Sequence, residues 1–303
     1  EKTMSASEEF ERQYTALQND QGWFYYADSG KISISGDDRY MWLQGMVSND
    51  VMLLKNNKVD SLQACLLDAT GHILSDMTIT KIHEDDSALL LDLPRENVEK
   101  VLGILDRYLI MEDAELRNVT DEIGCVSIRG KREYFAPNTP EALAHLVLAD
   151  DLVEISPEVQ EVWRVEQGIP KYGAEMDQTV IASEAVGASH ISLTKGCYVG
   201  QEIIARIDAR GHTNRALTGM TIEGETLPKA GDKLFAQESD KLRETGRITS
   251  VVPSSPAADG KPIALGYVRH EHREPGSHVV TQTEAGQAVL SIAEFPFARK
   301  SAA

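Results

Sequence analysis

Apolar positions first recur at helical spacing at Phe10, Tyr14 and Leu17, directly after Ser5 and Glu8, an S-x-x-E pair that can close a capping box. This predicts an N-terminal helix, ended by Gly22. Residues 23–27 and 31–35 then read as strands around the turn cluster Asp28-Ser29-Gly30. Asp37 and Asp38 stand where they would cap a short helix ending at Gly45. Two longer strands follow, 62–67 and 72–82, joined by Asp68-Ala69-Thr70-Gly71. Residues 88–93 form another strand, and Pro94 can open a helix over 95–105. The mixture up to about residue 155 predicts α+β layers rather than a wheel of repeated βαβ units.

Ser156-Pro157 is an N-cap and first-turn pair, starting a helix with Val159, Val162 and Trp163 inward and Gly168 and Pro170 as its stop. Residues 169–200 are rich in Gly, Ser and Thr and lack periodicity. Long irregular segments in compact domains are more often functional than accidental. From Leu217 the pattern becomes short strands between Gly, Pro and Asp: 217–222, 245–252, 263–268, 278–283 and 288–295. That spacing predicts a small antiparallel barrel or sandwich. The boundary falls near Arg215, giving an α+β region 1–214 and a β region 215–303.

Composition narrows the classes. The 303 residues carry 48 Asp+Glu against 30 Lys+Arg, a formal net charge of −18, which argues against direct, non-specific nucleic-acid binding. Cys65, Cys125 and Cys197 are scattered and contain no C-x-x-C pair. A zinc knuckle, a thioredoxin-type site and a disulfide framework all lack their signature, and no metal site is expected. Unpaired thiols suggest a reducing compartment. No apolar run approaches a membrane span, and no apolar signal core opens the chain, so the expected location is the cytoplasm.

Several short motifs fail on their own chemistry. The stretch from Gly124 to Lys131 resembles a phosphate loop but has five residues between its glycines and Arg132 in place of the magnesium-binding hydroxyl. Ser192-Leu193-Thr194-Lys195 fits S-x-x-K without its companion elements. His270-Glu271-His272 lacks the spacing that puts two imidazoles on one helix face.

The informative stretch is 195–215. Lys195, Arg206, Arg210 and Arg215 outnumber Glu202 and Asp208 there, so this stretch is +2 while the remainder of the chain is −20. Ile203, Ile204 and Ile207 are spaced for a helix face beginning after Gly200. Cys197 would then sit just before a helix N-terminus with Lys195 two residues away, a setting that favours thiolate and bound anions. A small buried apolar residue is the other reading of Cys197. Glu202 and Arg206, four apart, can also simply pair on a helix surface, worth about 0.3–0.5 kcal/mol.

Lys195-Gly196-Cys197-Tyr198-Val199-Gly200-Gln201-Glu202, followed by Arg206, resembles the K-G-C-[FY]-x-G-Q-E-x-x-x-R signature of the YgfZ family of folate-binding proteins. These are related to the T-protein (aminomethyltransferase) of the glycine cleavage system. Other stretches resemble the shared pattern too: Lys31 to Asp37, Gln44-Gly45, Asn49-Asp50-Val51, and Tyr172-Gly173-Ala174-Glu175-Met176, where Glu175 replaces the usual Asp.

The resemblance implies a T-protein-like ring of two intertwined α+β domains with a central cavity, plus a C-terminal antiparallel β-barrel. It implies tetrahydrofolate as cofactor, including its polyglutamate form. It implies a role in assembling or repairing iron–sulfur proteins, with those proteins or their assembly machinery as partners, and thereby an indirect link to transfer RNA thiomethylation. By the same resemblance Cys197 is the central functional group with Lys195 tuning it, and Tyr172, Glu175, Tyr198, Gln201, Glu202, Arg206 and Ser75 would contact or brace the folate. Gly196 and Gly200 would permit the tight loop. The aminomethyltransferases carry an Asp pair in the second long strand where this chain has Ser75-Asp76, and Gln160 stands where they have a folate-contacting Arg. A hydroxyl cannot replace a carboxylate that stabilises a cation or manages a proton, and strand alternation turns Asp76 to the opposite face. This favours the accessory branch over the alternative, a folate-dependent aminomethyl- or methyltransferase.

Overall fold

Helix α1 (Ala6–Gln18) opens on the expected capping box: Ser5 Oγ accepts from Glu8 N, and the Glu8 carboxylate accepts from Ser5 N. The helix ends at Asn19, and Gly22 opens strand β1 (Gly22–Tyr25) rather than closing the helix. In chain order there follow β2 (Ser29–Ser35), α2 (Arg39–Met46), α3 (Met52–Lys55), β3 (Ser61–Leu67), β4 (Ile73–Lys81) and β5 (Ala88–Pro94). A 3-10 turn (Arg95–Asn97) leads into α4 (Val98–Asp106), then β6 (Glu115–Asn118), β7 (Gly124–Ile128), β8 (Lys131–Phe135), β9 (Val153–Glu154) and α5 (Pro157–Glu166). The rest comprises α6 (Ala182–Ala185), α7 (Gln201–Arg210), β10 (Arg215–Glu223), β11 (Lys233–Glu238), β12 (Lys241–Val252), β13 (Ile263–Arg269), β14 (His278–Thr283) and β15 (Gly286–Ala293). This computed structural model describes residues 5–82, 87–128, 131–135, 138–139, 141–142, 147, 152–238 and 241–297.

The fold is α+β with a closed antiparallel barrel, as the patterns predict. Strands β3-β4-β5-β2-β6 form one sheet, β8-β7-β1-β9 a second, and β10-β13-β12-β11-β14-β15 close into the barrel. The five-stranded sheet carries Ile32, Leu66, Met77, Ile79 and Leu91 on the face that α2, α3 and α4 cover with Leu43, Leu54 and Val101. Each such buried aliphatic contributes roughly 1.5–3 kcal/mol. The barrel has its own core, centred on Met220, Leu234, Ile248 and Leu290. At Gly246 a Cβ would lie 1.8 Å from the Tyr267 carbonyl oxygen, so only glycine lets β12 approach β13 there.

The chain divides into two compact units: 1–160 with 188–201, and 161–187 with 202–303. In the second, the carboxylate of Glu175 is fully buried and accepts from Arg164 (2.8 Å), Ser250 Oγ (2.6 Å) and Lys171 N (3.0 Å), while Tyr267 donates to the Glu175 carbonyl (2.8 Å). Part of the irregular segment is thus tied to α5 by a buried ion pair and to the barrel strands β12 and β13 by the Ser250 and Tyr267 hydroxyls.

Local expectations failed where packing overrode sequence signals. Asp38 makes no side-chain cap on α2; its carboxylate accepts from Asp113 N (2.9 Å), joining the helix start to the loop before β6. Trp163 is only half-buried, and Val165 joins Val159 and Val162 on the inner face of α5. The rejected phosphate-loop stretch is the β7–β8 hairpin, with residues 129–130 outside the described residues. Among the described residues no helix is long and apolar enough to cross a membrane.

Replacing Glu175 with Ala leaves the Arg164 guanidinium paired to Glu161 but takes the buried acceptor from Ser250 Oγ and Lys171 N, and is expected to cost about 2–3 kcal/mol. The double replacement Glu175→Gln with Arg164→Met should cost clearly less. Urea unfolding of both variants checks this.

Candidate functional site

Helix α2 leaves unpaired carbonyls and the negative end of its dipole at its C-terminus. Lys195 supplies the cation. Its Nζ donates to Gln44 O (2.6 Å), Val47 O (2.6 Å) and Asn49 O (2.8 Å), which saturates the ammonium. The Tyr198 ring lies beneath the same nitrogen, 5.0 Å from its centroid. Burial pulls the Lys195 pKa down to about 8, against the opposing charge of Asp50.

Neighbouring bonds hold residues 47–49 against the edge of β3 and the segment 189–195 against residues 48–49. Ser48 Oγ donates to His190 O (2.6 Å) and accepts from Cys65 N (2.8 Å). Asn49 Nδ2 donates to both Gln63 O (2.7 Å) and Ser189 O (2.9 Å). Ser192 N donates to Ser48 O (3.0 Å), and Lys195 N to Ser192 Oγ (3.2 Å). Three backbone groups of a segment without regular structure, Ser189 O, His190 O and Ser192 N, are therefore satisfied by Ser48 and Asn49.

The loop that follows displays Cys197. Its thiol is exposed, whereas Cys65 and Cys125 are buried. Gly200 has φ +84°, and a Cβ there would lie 2.5 Å from Asp68 O, so backbone conformation and close packing on the β3–β4 turn both require glycine. Helix α7 starts at Gln201, four residues after the thiol. Tyr198 is 7% exposed, and its hydroxyl has no hydrogen-bond partner among the described residues. Burial, and then the Cys65 thiol, push its pKa up; burial, with Asp76, does the same for Cys65.

The other expected site residues separate. Ser75 is fully buried, donating to Asp76 O (3.0 Å) and accepting from Asn97 Nδ2 (3.3 Å), so its hydroxyl belongs to the packing beneath α4 and not to a ligand. Asp76 is half-buried and pairs in register with Cys65 across β3 and β4. Glu175 is committed to Arg164, Ser250 and Lys171 N and is fully buried, out of reach of a ligand. Tyr172 is half-buried beside the Tyr172–Met176 bridge. Glu202 and Arg206 form the surface pair that their spacing allows, 2.7 Å apart and largely solvated. Gln160 turns back along α5 and donates to Ile155 O (2.8 Å), just before the helix. Lys195 corrects the expectation most: its ammonium is a helix cap, and any influence on Cys197 passes through the loop it holds.

Sequence reasoning missed the acceptors. Gln44 and Asn49 stand within recognisable motifs, but the groups that matter are their carbonyl oxygens, which no side-chain signature can advertise. Ser48, with four bonds to neighbouring segments, gave no signal at all.

Residues 2–152 match the GCVT N-terminal domain, and 215–298 match the glycine cleavage T-protein C-terminal barrel domain. The chain is 26% identical to the tRNA-modifying protein YgfZ of Hamiltonella defensa, over 88% of this chain and 89% of that protein. It is 22% identical to the aminomethyltransferase of Chloroherpeton thalassium, over 95% and 90% of the two chains. The crystal structure of the glycine cleavage system aminomethyltransferase T from Bartonella henselae shares the fold, with a TM-score of 0.77 at 17% identity over 95% of this chain and 90% of that one.

Lys195→Met leaves three carbonyls without their donor, and the loop should loosen: iodoacetamide labelling of Cys197 under native conditions is expected to change severalfold, while Arg206→Ala leaves it unchanged. His190 generates a pH prediction. Burial holds its pKa at about 4, below the ordinary 6.5, so the unfolded chain binds the proton first. Its contribution is complete above pH 6.5 and disappears as the pH falls through 4, a loss of up to about 3 kcal/mol at roughly 1.4 kcal/mol per unit. Denaturation midpoints of wild type and His190→Gln should converge across that window.

Proposed function

We propose, on the premise that the chain belongs to the YgfZ family and is related to the glycine cleavage T-protein, that it is a tetrahydrofolate-binding accessory protein. It acts on iron–sulfur proteins or their assembly machinery and supports transfer RNA thiomethylation through them, in a reducing, cytoplasmic setting. The observation that carries this reading is the exposed Cys197 thiol on a loop clamped by Lys195. An exposed cysteine on a pre-shaped loop suits transient chemistry with a thiol- or metal-bearing client.

Tetrahydrofolate fits the residues present. The buried Tyr198 hydroxyl has no hydrogen-bond partner among the described residues, the kind of group that a polar heterocycle satisfies. Tyr198 and the Gln201 amide would hold the ligand by hydrogen bonds. Lys195 would keep both in place and would not itself meet the glutamate tail. The bound cofactor would supply one-carbon carrying capacity. What this chain lacks for catalysing a transfer is the carboxylate that the enzymes carry at the position of Ser75, whose hydroxyl is buried and already bonded. That is why the accessory reading is preferred over an aminomethyltransferase.

Calorimetry with tetrahydrofolate and its triglutamate is expected to show saturable binding, weakened about threefold to tenfold by Tyr198→Phe, the effect of losing one buried hydrogen bond. No binding at millimolar ligand overturns the folate assignment. In cells defective in thiomethylation, Cys197→Ala should fail to rescue; full rescue would return Cys197 to a surface role.

A further inference from the structure

One cavity in the first unit is not absorbed by the proposed function. It has a volume of about 370 Å³ and lies beside the β3–β4 turn, walled by Met46, Leu66, Leu74, Ile104 and by Val199 of the cysteine loop. That volume is at the small end of ligand sites. Its lining includes two ionisable side chains of opposite sign. The Arg107 guanidinium has no hydrogen-bond or ion-pair partner among the described residues. Asp68 uses Oδ1 to accept from Thr70 N (2.8 Å) and His72 N (3.0 Å), while its Oδ2 meets only the His72 ring, at 3.6 Å. These bonds hold the Asp68 carboxyl below its usual range despite partial burial, so it is ionised at neutral pH.

Aliphatic walls with one unpaired guanidinium and one half-committed carboxylate match a small ligand carrying both charges. We propose that this cavity binds an aliphatic α-amino acid of the leucine or methionine class. Arg107 takes the carboxylate in a charge-assisted pair, Asp68 Oδ2 takes the ammonium, and the side chain fills the space between Leu66, Leu74 and Ile104. A fatty acid would leave Asp68 facing an anion or a methyl group, and a simple amine would leave Arg107 unanswered. The site is separate from the Tyr198 hydroxyl proposed for folate, so either assignment can fail alone.

The test is titration of the full chain with L-leucine by ligand-observed NMR, alongside 4-methylpentanoate and 3-methylbutylamine, each lacking one of its charges. Saturable leucine binding is expected, with both analogues at least about tenfold weaker, the cost of one lost charged hydrogen bond. Arg107→Met should weaken leucine similarly. Ala69→Leu, at an exposed lining position, should abolish it by filling the cavity, and circular dichroism checks that it folds. No saturable binding at millimolar leucine overturns the proposal, as does equal binding of either analogue or undiminished binding to Ala69→Leu.

Discussion

One ammonium holding three carbonyls organises the candidate site. The end of α2 needs a donor, and the irregular segment 189–200 needs an anchor; Lys195 provides both. Without it, a helix C-terminus would be left buried with unsatisfied acceptors. The loop bearing Cys197 would keep the Gly200 contact and the backbone bonds of residues 189–192 and lose the ammonium that fixes residue 195 to the helix end. Burial lowers the basicity of this lysine, and the three converging carbonyl oxygens offset part of the cost of taking its charge out of water. Everything C-terminal to it in the motif follows: Tyr198 lies under the ammonium, Gly200 sits against the hairpin turn, and α7 begins at Gln201.

The second unit repeats the device with a different ion. Glu175 is as deeply buried as any aliphatic residue in the barrel core, and Arg164 and Ser250 compensate it. In both units a buried, hydrogen-bonded charge helps to hold a stretch without secondary structure. Buried ions are poor sources of net stability but good sources of a unique geometry, and that is what a long irregular segment requires.

Much of the fold was legible because its signals are periodic. The capping box of α1, the β3–β4 pair, Pro157 opening α5 and the helix after Gly200 all appear where local spacing places them. Strands β6 to β9 and β11 escaped because they are short or polar and take their strand character from neighbours already in the sheet. The site was legible as a motif and misread as chemistry. Lys195 beside Cys197 suggests a cation tuning a thiol; in three dimensions the cation turns to the backbone of residues 44–49. Ser75 was rightly seen as unable to act as a carboxylate, yet its burial against Asn97 depends on which face of β4 the helices cover. Glu175 passed as a folate contact because sequence cannot show that its oxygens are already taken.

Lys195 is a buried helix cap whose ammonium is saturated by three carbonyls. Nitrogen-15 NMR of its side-chain ammonium measures this directly. The prediction is a slowly exchanging signal, protected from solvent, that titrates at about 8. A rapidly exchanging ammonium titrating at the ordinary lysine value of about 10.4 would contradict it, and with it the idea that one cation fixes the loop that presents Cys197.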